Sequence, residues 1–208
     1  MNLYLKLNKI KKIRSIIKLK KGDIVLIGPR FNSITLKVKN FSSYIISKLC
    51  RGITHSCIYM GKDNIFDMDF RLIGKGIRKI KLNKLIKEKI SKFKEINVYI
   101  VEPKIYQRRH RINVLREAIN NFLMKKKEIS FSYTGILKIL FVILLLNKSY
   151  FYKKEKLQYK KEWYCSNLVA YILRKAKVPI GKRATSTFMP NTFAFSKHFK
   201  IKKRITII

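Results

Sequence analysis

Cys165, His55 and Asp67 are residue types able to perform thiol chemistry, and each occurs in a setting that suits it. Cys165 stands in Trp163-Tyr164-Cys165-Ser166-Asn167-Leu168-Val169, where the apolar spacing predicts a helix over 164–176 with the cysteine in its first turn. There, unpaired backbone N–H groups and the positive end of the helix dipole stabilise a thiolate. The Cys165 N–H itself would point at the oxyanion that forms when the thiolate attacks an acyl carbon. His55, in Thr54-His55-Ser56-Cys57-Ile58-Tyr59-Met60-Gly61, is a general base that titrates near neutral pH. Strand alternation puts His55, Cys57 and Tyr59 on one face and Ser56, Ile58 and Met60 on the other. Asp67 joins the histidine's face if the intervening hairpin loop has an odd number of residues, as Gly61-Lys62-Asp63 does. From there it can orient the imidazole and stabilise its protonated form. Asp69 shares that face and is its rival.

These side chains need a scaffold, and the chain supplies mixed elements. Gly22-Asp23-Ile24-Val25-Leu26-Ile27-Gly28 reads as a buried strand, and residues 43–49 as a short helix. Strands over 54–60 and 64–70 flank the hairpin signal, and another over 96–101 is closed by Pro103. Ile112, Leu115, Ile119 and Phe122 form one helical stripe over 111–124, and 133–146 reads as a second, more apolar helix. Residues 150–161 read as a charged, tyrosine-rich loop, the surroundings of Met189-Pro190-Asn191 as loops, and 201–208 as a strand. Without βαβ alternation or internal repeats, the pattern predicts an α+β fold with a central antiparallel sheet and the Cys165 helix packed against it. The expected organisation is one catalytic domain over 21–208 behind a basic amphipathic leader over 1–20. In that leader Leu3, Leu7, Ile10, Ile13 and Ile17 fall at helical spacing.

Composition bounds the partners. With 208 residues, 47% apolar and 12% aromatic, the chain can build one ordinary core, which excludes a disordered tail protein. Its 49 Lys+Arg against 11 Asp+Glu give +38, which raises an anionic membrane surface or nucleic acid as partners. Lysine outnumbers arginine about threefold and Ile and Asn are abundant, the imprint of A/T-biased codons, and the bases spread over the whole chain. Nucleic acid would therefore be bound without sequence specificity, since no reading module is recognisable. Three cysteines without a C-x-x-C pair argue against a disulfide framework. The longest apolar run, 139–146, is short of the ~20 residues of a membrane span, and lysines interrupt any secretory signal. A reducing, cytoplasmic location follows, with peripheral membrane contact and no cofactor expected.

Four blocks in register, Gly22-Asp23-Ile24-Val25, Thr54 to Gly61, Phe131-Ser132-Tyr133-Thr134-Gly135-Ile136-Leu137 and Trp163 to Val169, resemble the circularly permuted papain-like amidases. These form the YiiX/YaeF-like group of the NlpC-like superfamily. The histidine precedes the cysteine in this branch, as His55 precedes Cys165. The resemblance spans about residues 20–200 and implies a permuted papain-like fold. It also implies a catalytic cysteine at a helix start, matching Cys165, and a histidine opening a strand, matching His55. A polar third residue a dozen positions after the histidine matches Asp67. Cys57 departs from the pattern, since relatives often carry a small residue there, and the charge of the chain is unusual.

The leading reading is a cysteine hydrolase that cleaves an amide or peptide-type bond, in a peptide, an amide or a lipid amide, through an acyl-enzyme. The alternatives are a thiol acyltransferase or lipid-acting esterase on the same arrangement, with residues 136–146 lining an acyl-chain site, and a non-enzymatic basic protein that binds nucleic acid or membrane. A zinc site from Cys50, His55, Cys57 and Cys165 is a fourth, since thiolate and imidazole suit that metal.

Overall fold

The run at 24–29 reads as continuously apolar because both faces of its strand are covered. In the computed structural model, which describes residues 2–5, 19–68, 76–104, 109–125, 129–132, 162–181 and 188–208, this strand is β2 (Ile24–Pro29), at the centre of a seven-stranded sheet. The other strands are β1 (Asn2–Leu5), β3 (His55–Gly61), β4 (Asn64–Met68), β5 (Ile77–Lys81), β6 (Ile96–Pro103) and β9 (Phe199–Ile207). Their order is β1-β9-β6-β2-β3-β4-β5. Six strands pair antiparallel, and β1 joins the β9 edge in parallel. A separate two-stranded pair, β7 (Ser130–Phe131) and β8 (Glu162–Trp163), lies outside it.

Alternation along β2 divides the core. Ile24 and Leu26 join Ile58, Phe66 and Met68 beneath α4 (Arg109–Met124) and α5 (Cys165–Lys175), whose contributions include Leu115, Ile119, Phe122, Leu168 and Val169. Val25 and Ile27 join Cys57, Tyr59 and Ile65 beneath α3 (Leu82–Phe93), which contributes Leu85, Ile86 and Phe93. The fold is thus α+β, helices covering both faces of a mainly antiparallel sheet. Among the described residues no helix is long and apolar enough to cross a membrane.

The structure corrects several expectations. The leader does not begin as a helix at Leu3: residues 2–5 form β1, because the long edge of β9 offers unpaired backbone groups. The rest of the leader stripe, the 133–146 helix, the 150–161 loop and Asp69 lie outside the described residues. No element was expected over 77–93, which form β5 and α3. Leu82, Leu85, Ile86, Lys89, Ile90 and Phe93 make a helical stripe that the intervening lysines obscure. Loops were expected near Pro190, yet α6 (Pro190–Phe195) starts there with proline in its first turn, and the Met189 N–H donates to Thr192 Oγ1.

Two short helices, α1 (Ile34–Lys39) and α2 (Phe41–Leu49), connect β2 to β3. Their return crosses β2 so closely that a Cβ on Gly28 would stand 1.7 Å from the Gly52 carbonyl oxygen. Just beyond, the Thr54 N–H donates to the Ile27 carbonyl at 2.9 Å, aligning β3 at His55. Gly28→Ala is therefore expected to cost about 3 kcal/mol or more, the upper range for overpacking, because backbone meets backbone and neither yields cheaply. Urea unfolding against the parent chain measures it; an unchanged midpoint contradicts the close approach.

Candidate active site

His55 is the first residue of β3, and its relation to Asp67 is decided by the turn that follows. Gly61 has φ 89°, and Lys62 and Asp63 have φ 50° and 62°, the left-handed values of a tight hairpin turn. The Gly61–Asn64 pairing, continued without change, would set Asp67 opposite Ile58, on the wrong face. A bulge between Tyr59 and Gly61 shifts the register to Tyr59–Ile65 and Ile58–Phe66, so Asp67 falls opposite Cys57, on the histidine's face. There, His55 Nε2 and Asp67 Oδ1 are 2.5 Å apart.

Asp67 is itself held. Its register partner on β5 is Arg78, whose Nε donates to Oδ2 at 2.8 Å. Arg78 Nη2 in turn donates to Glu88 Oε2 on α3 at 2.8 Å. Lys89, buried on the same helix, adds positive charge that acts on both His55 and Asp67.

The thiol arrives from the other side of the sheet. Pairing of β7 with β8, extended by the Ser132 N–H to the Trp163 carbonyl at 2.7 Å, fixes the approach to α5. Trp163 is wedged edge-on against Phe122 and Tyr171. The Tyr164 N–H donates to Asn167 Oδ1 at 2.8 Å, and Ser166 Oγ donates to the Phe188 carbonyl at 2.6 Å, anchoring the first turn. Cys165 opens the helix and its sulfur is hydrogen-bonded to the His55 ring. With Nε2 taken by Asp67, Nδ1 is the ring nitrogen left for the thiol. The Ser56 N–H also reaches the sulfur. The wholly buried Ser56 hydroxyl lies beside it and bonds to no nitrogen or oxygen among the described residues.

The electrostatics favour an ion pair. Burial pushes the Cys165 thiol up, but its hydrogen bond to His55, the charge of that ring and the Ser56 donors outweigh this and bring it below an ordinary cysteine. For His55, burial and Lys89 act downward, yet Asp67 and Cys165 together raise it to about 9. Burial would raise Asp67; His55, Lys89 and Arg78 hold it below the usual carboxylate range. The other thiols behave oppositely. Burial, aided by the nearby Cys165, pushes Cys50 up to about 12, and burial raises Cys57 strongly. Cys57 donates to the Val25 carbonyl and Cys50 packs with Tyr164 and Met189. Among the described residues no three His, Cys, Asp or Glu side chains are grouped to hold a metal.

The structure therefore brings Cys165, His55 and Asp67 together from three separate elements, and places Cys50 and Cys57 in the core around them. Sequence reasoning missed Ser56, Arg78, Glu88 and Lys89. Arg78 left one signal, being the single arginine between 72 and 107 among many lysines. No known protein family matches this sequence, and no curated protein matches it either.

An ion pair of this kind has a defined pH window. The Cys165 thiolate forms as pH rises through its lowered value, and His55 stays cationic until pH passes about 9. Iodoacetamide at neutral pH is expected to alkylate Cys165 ahead of Cys50 and Cys57, as read by peptide mass mapping. His55→Ala should slow that alkylation at least about tenfold, since losing the cation raises the thiol by a unit or more. Equal labelling of all three thiols, or a rate indifferent to His55, contradicts the pairing.

Proposed function

We propose that this chain is a cysteine hydrolase of the permuted papain-like, NlpC-like type, cleaving an amide or peptide-type acyl bond. The observation that carries the reading is the hydrogen-bonded line Cys165–His55–Asp67, with the thiol at a helix N-terminus and lowered while its neighbours are raised. The order in the chain, histidine, then carboxylate, then cysteine, agrees with the permuted arrangement, as does a thiol-bearing helix lying against the strand that carries the histidine.

Each group has a task in such a reaction. The Cys165 thiolate attacks the acyl carbon, forming a C–S bond while the carbonyl π pair moves to oxygen. The first backbone N–H groups of α5, which lack intrahelical acceptors, stabilise that oxyanion. Collapse expels the amine, and the His55 imidazolium gives it the proton it needs to leave. Neutral His55 then takes a proton from water as the water attacks the thioester, releasing the acid and restoring the thiolate and imidazolium. Asp67 keeps the ring aligned and its cation stabilised throughout. Cys165 and His55 are each 7% exposed, so the scissile bond must reach them through a narrow opening.

Turnover on a panel of acyl amides, peptides and thioesters tests the reading. Cys165→Ala should abolish hydrolysis. Asp67→Asn, which keeps the buried volume and avoids stranding Arg78, should lower kcat by about 10²-fold or more with little change in KM. Hydrolysis that survives Cys165→Ala removes the proposal. Adding an amine and analysing products separates hydrolysis from acyl transfer.

A further inference from the structure

The helix α1 is poorly accounted for by the fold. It reads Ile34-Thr35-Leu36-Lys37-Val38-Lys39, and none of its residues is buried. Ile34 is 77% exposed and Val38, one turn on, 73%; Phe41, at the start of α2, is 65% exposed. Isolated exposed apolar residues are ordinary, but Ile34 and Val38 share one helix face and Phe41 follows three residues on, a local concentration of exposed apolar side chains. Hydrogen bonds close the helix at both ends: Ser33 Oγ caps α1 by accepting from the Leu36 N–H, and the Asn40 N–H bonds to the Leu36 carbonyl. The fold therefore presents this apolar tip on a capped, defined element.

The charge around it is one-sided. From Ile24 to Lys62 the sequence contains no aspartate or glutamate, while the two helices carry Lys37, Lys39 and Lys48 and are flanked in the chain by Arg30 and Arg51. Of these, Arg30 is engaged with Glu95. Lys37 and Lys48 both lie over the Tyr44 ring, at 5.7 and 5.8 Å, which keeps their charges beside the patch. An apolar tip ringed by cations matches an anionic bilayer interface, where apolar side chains enter the acyl boundary and lysines stay at the headgroups. A nucleic acid would use the lysines and leave Ile34, Val38 and Phe41 in water. A second copy of a chain carrying +38 would be repelled.

We infer that α1 and the start of α2 form a membrane-docking tip, inserting Ile34, Val38 and Phe41 into the interface of an anionic lipid surface. This role falls to a segment inside the fold and is independent of the proposed hydrolase activity. Ile46 of α2 packs with Cys50 on Tyr164, the residue before the thiol, so the helix that carries Phe41 at its start is joined at its other end to the surroundings of the candidate active site.

Co-sedimentation of the full chain with phosphatidylcholine vesicles, with and without phosphatidylserine, tests the inference. Binding should require phosphatidylserine and weaken with salt. Ile34→Ser combined with Val38→Ser should reduce it at least about tenfold, with unchanged thermal unfolding because both side chains are exposed. Lys37→Glu with Lys39→Glu should also weaken it. Binding that the serine pair leaves unchanged, equal binding to neutral vesicles, or no binding at low salt overturns the assignment. A retained affinity of the serine pair for RNA matching the parent, without vesicle binding by either, assigns the basic surface to nucleic acid instead. Because Cys165 and His55 are untouched, iodoacetamide labelling of the variants reports separately on the active site.

Discussion

The buried contact between His55 and Asp67 is the constraint to which the neighbouring elements answer. Two ionised groups at nearly full burial are tolerated only if their attraction and further hydrogen bonds offset the loss of water, and stranding one of them costs about 3–5 kcal/mol. That is a large share of the ~5–15 kcal/mol that holds a domain together. Arg78 takes the second oxygen of Asp67, Glu88 balances Arg78, and Lys89 completes the charge set. These partners come from β5 and α3, so an arrangement that serves one imidazole also ties the sheet edge to the helix covering it.

In a chain with 49 basic residues, the 11 acids are the scarce resource, and Asp23, Asp67, Glu88 and Glu95 are placed at joints. Asp23 accepts from Lys202 Nζ and the Lys20 N–H, linking the start of β2 to β9. Glu95 accepts from Arg30 and Asn32, fastening the end of β2 to the entry of β6. Glu88 and Asp67 share Arg78. Most of the described lysines lie on the surface, where screening limits their mutual repulsion to neighbours within about 8 Å. The net charge therefore burdens the surface more than the core.

Local pattern carried much of the architecture. The strand at 24–29, the hairpin, the strand from 96 and the helices ending at Met124 and Lys175 follow from runs and stripes that no tertiary contact had to override. Cys165 and His55 were legible because a helix start and a strand start are local properties. What failed needed distant information. β1 exists only because β9 presents an edge to it, and Arg78 matters only because the β4–β5 register sets it opposite Asp67. In α3, charge masked a periodicity that was present. Asp67 sits between these cases: its face depended on a bulge that the glycine at 61 makes possible, and residue parity alone could only state the condition.

The same topology explains why the thiol and the imidazole meet at all. By alternation His55 belongs to the face covered by α3, whereas α5 packs on the opposite face with Leu168 and Val169. Mid-sheet, groups on opposite faces are separated by the backbone itself. His55 is the first residue of β3 and Cys165 the first of α5, so each stands where its element ends, and the imidazole can reach around the strand terminus to the sulfur. Ser56, which alternation turns toward α5, stands beside the sulfur and supplies an N–H to it. Moving either residue one turn or one pair inward would return it to its own core. The crossing at Gly28 and Gly52, beside the Ile27–His55 pair, is what starts β3 at this point, which makes this close backbone contact part of the geometry of the site.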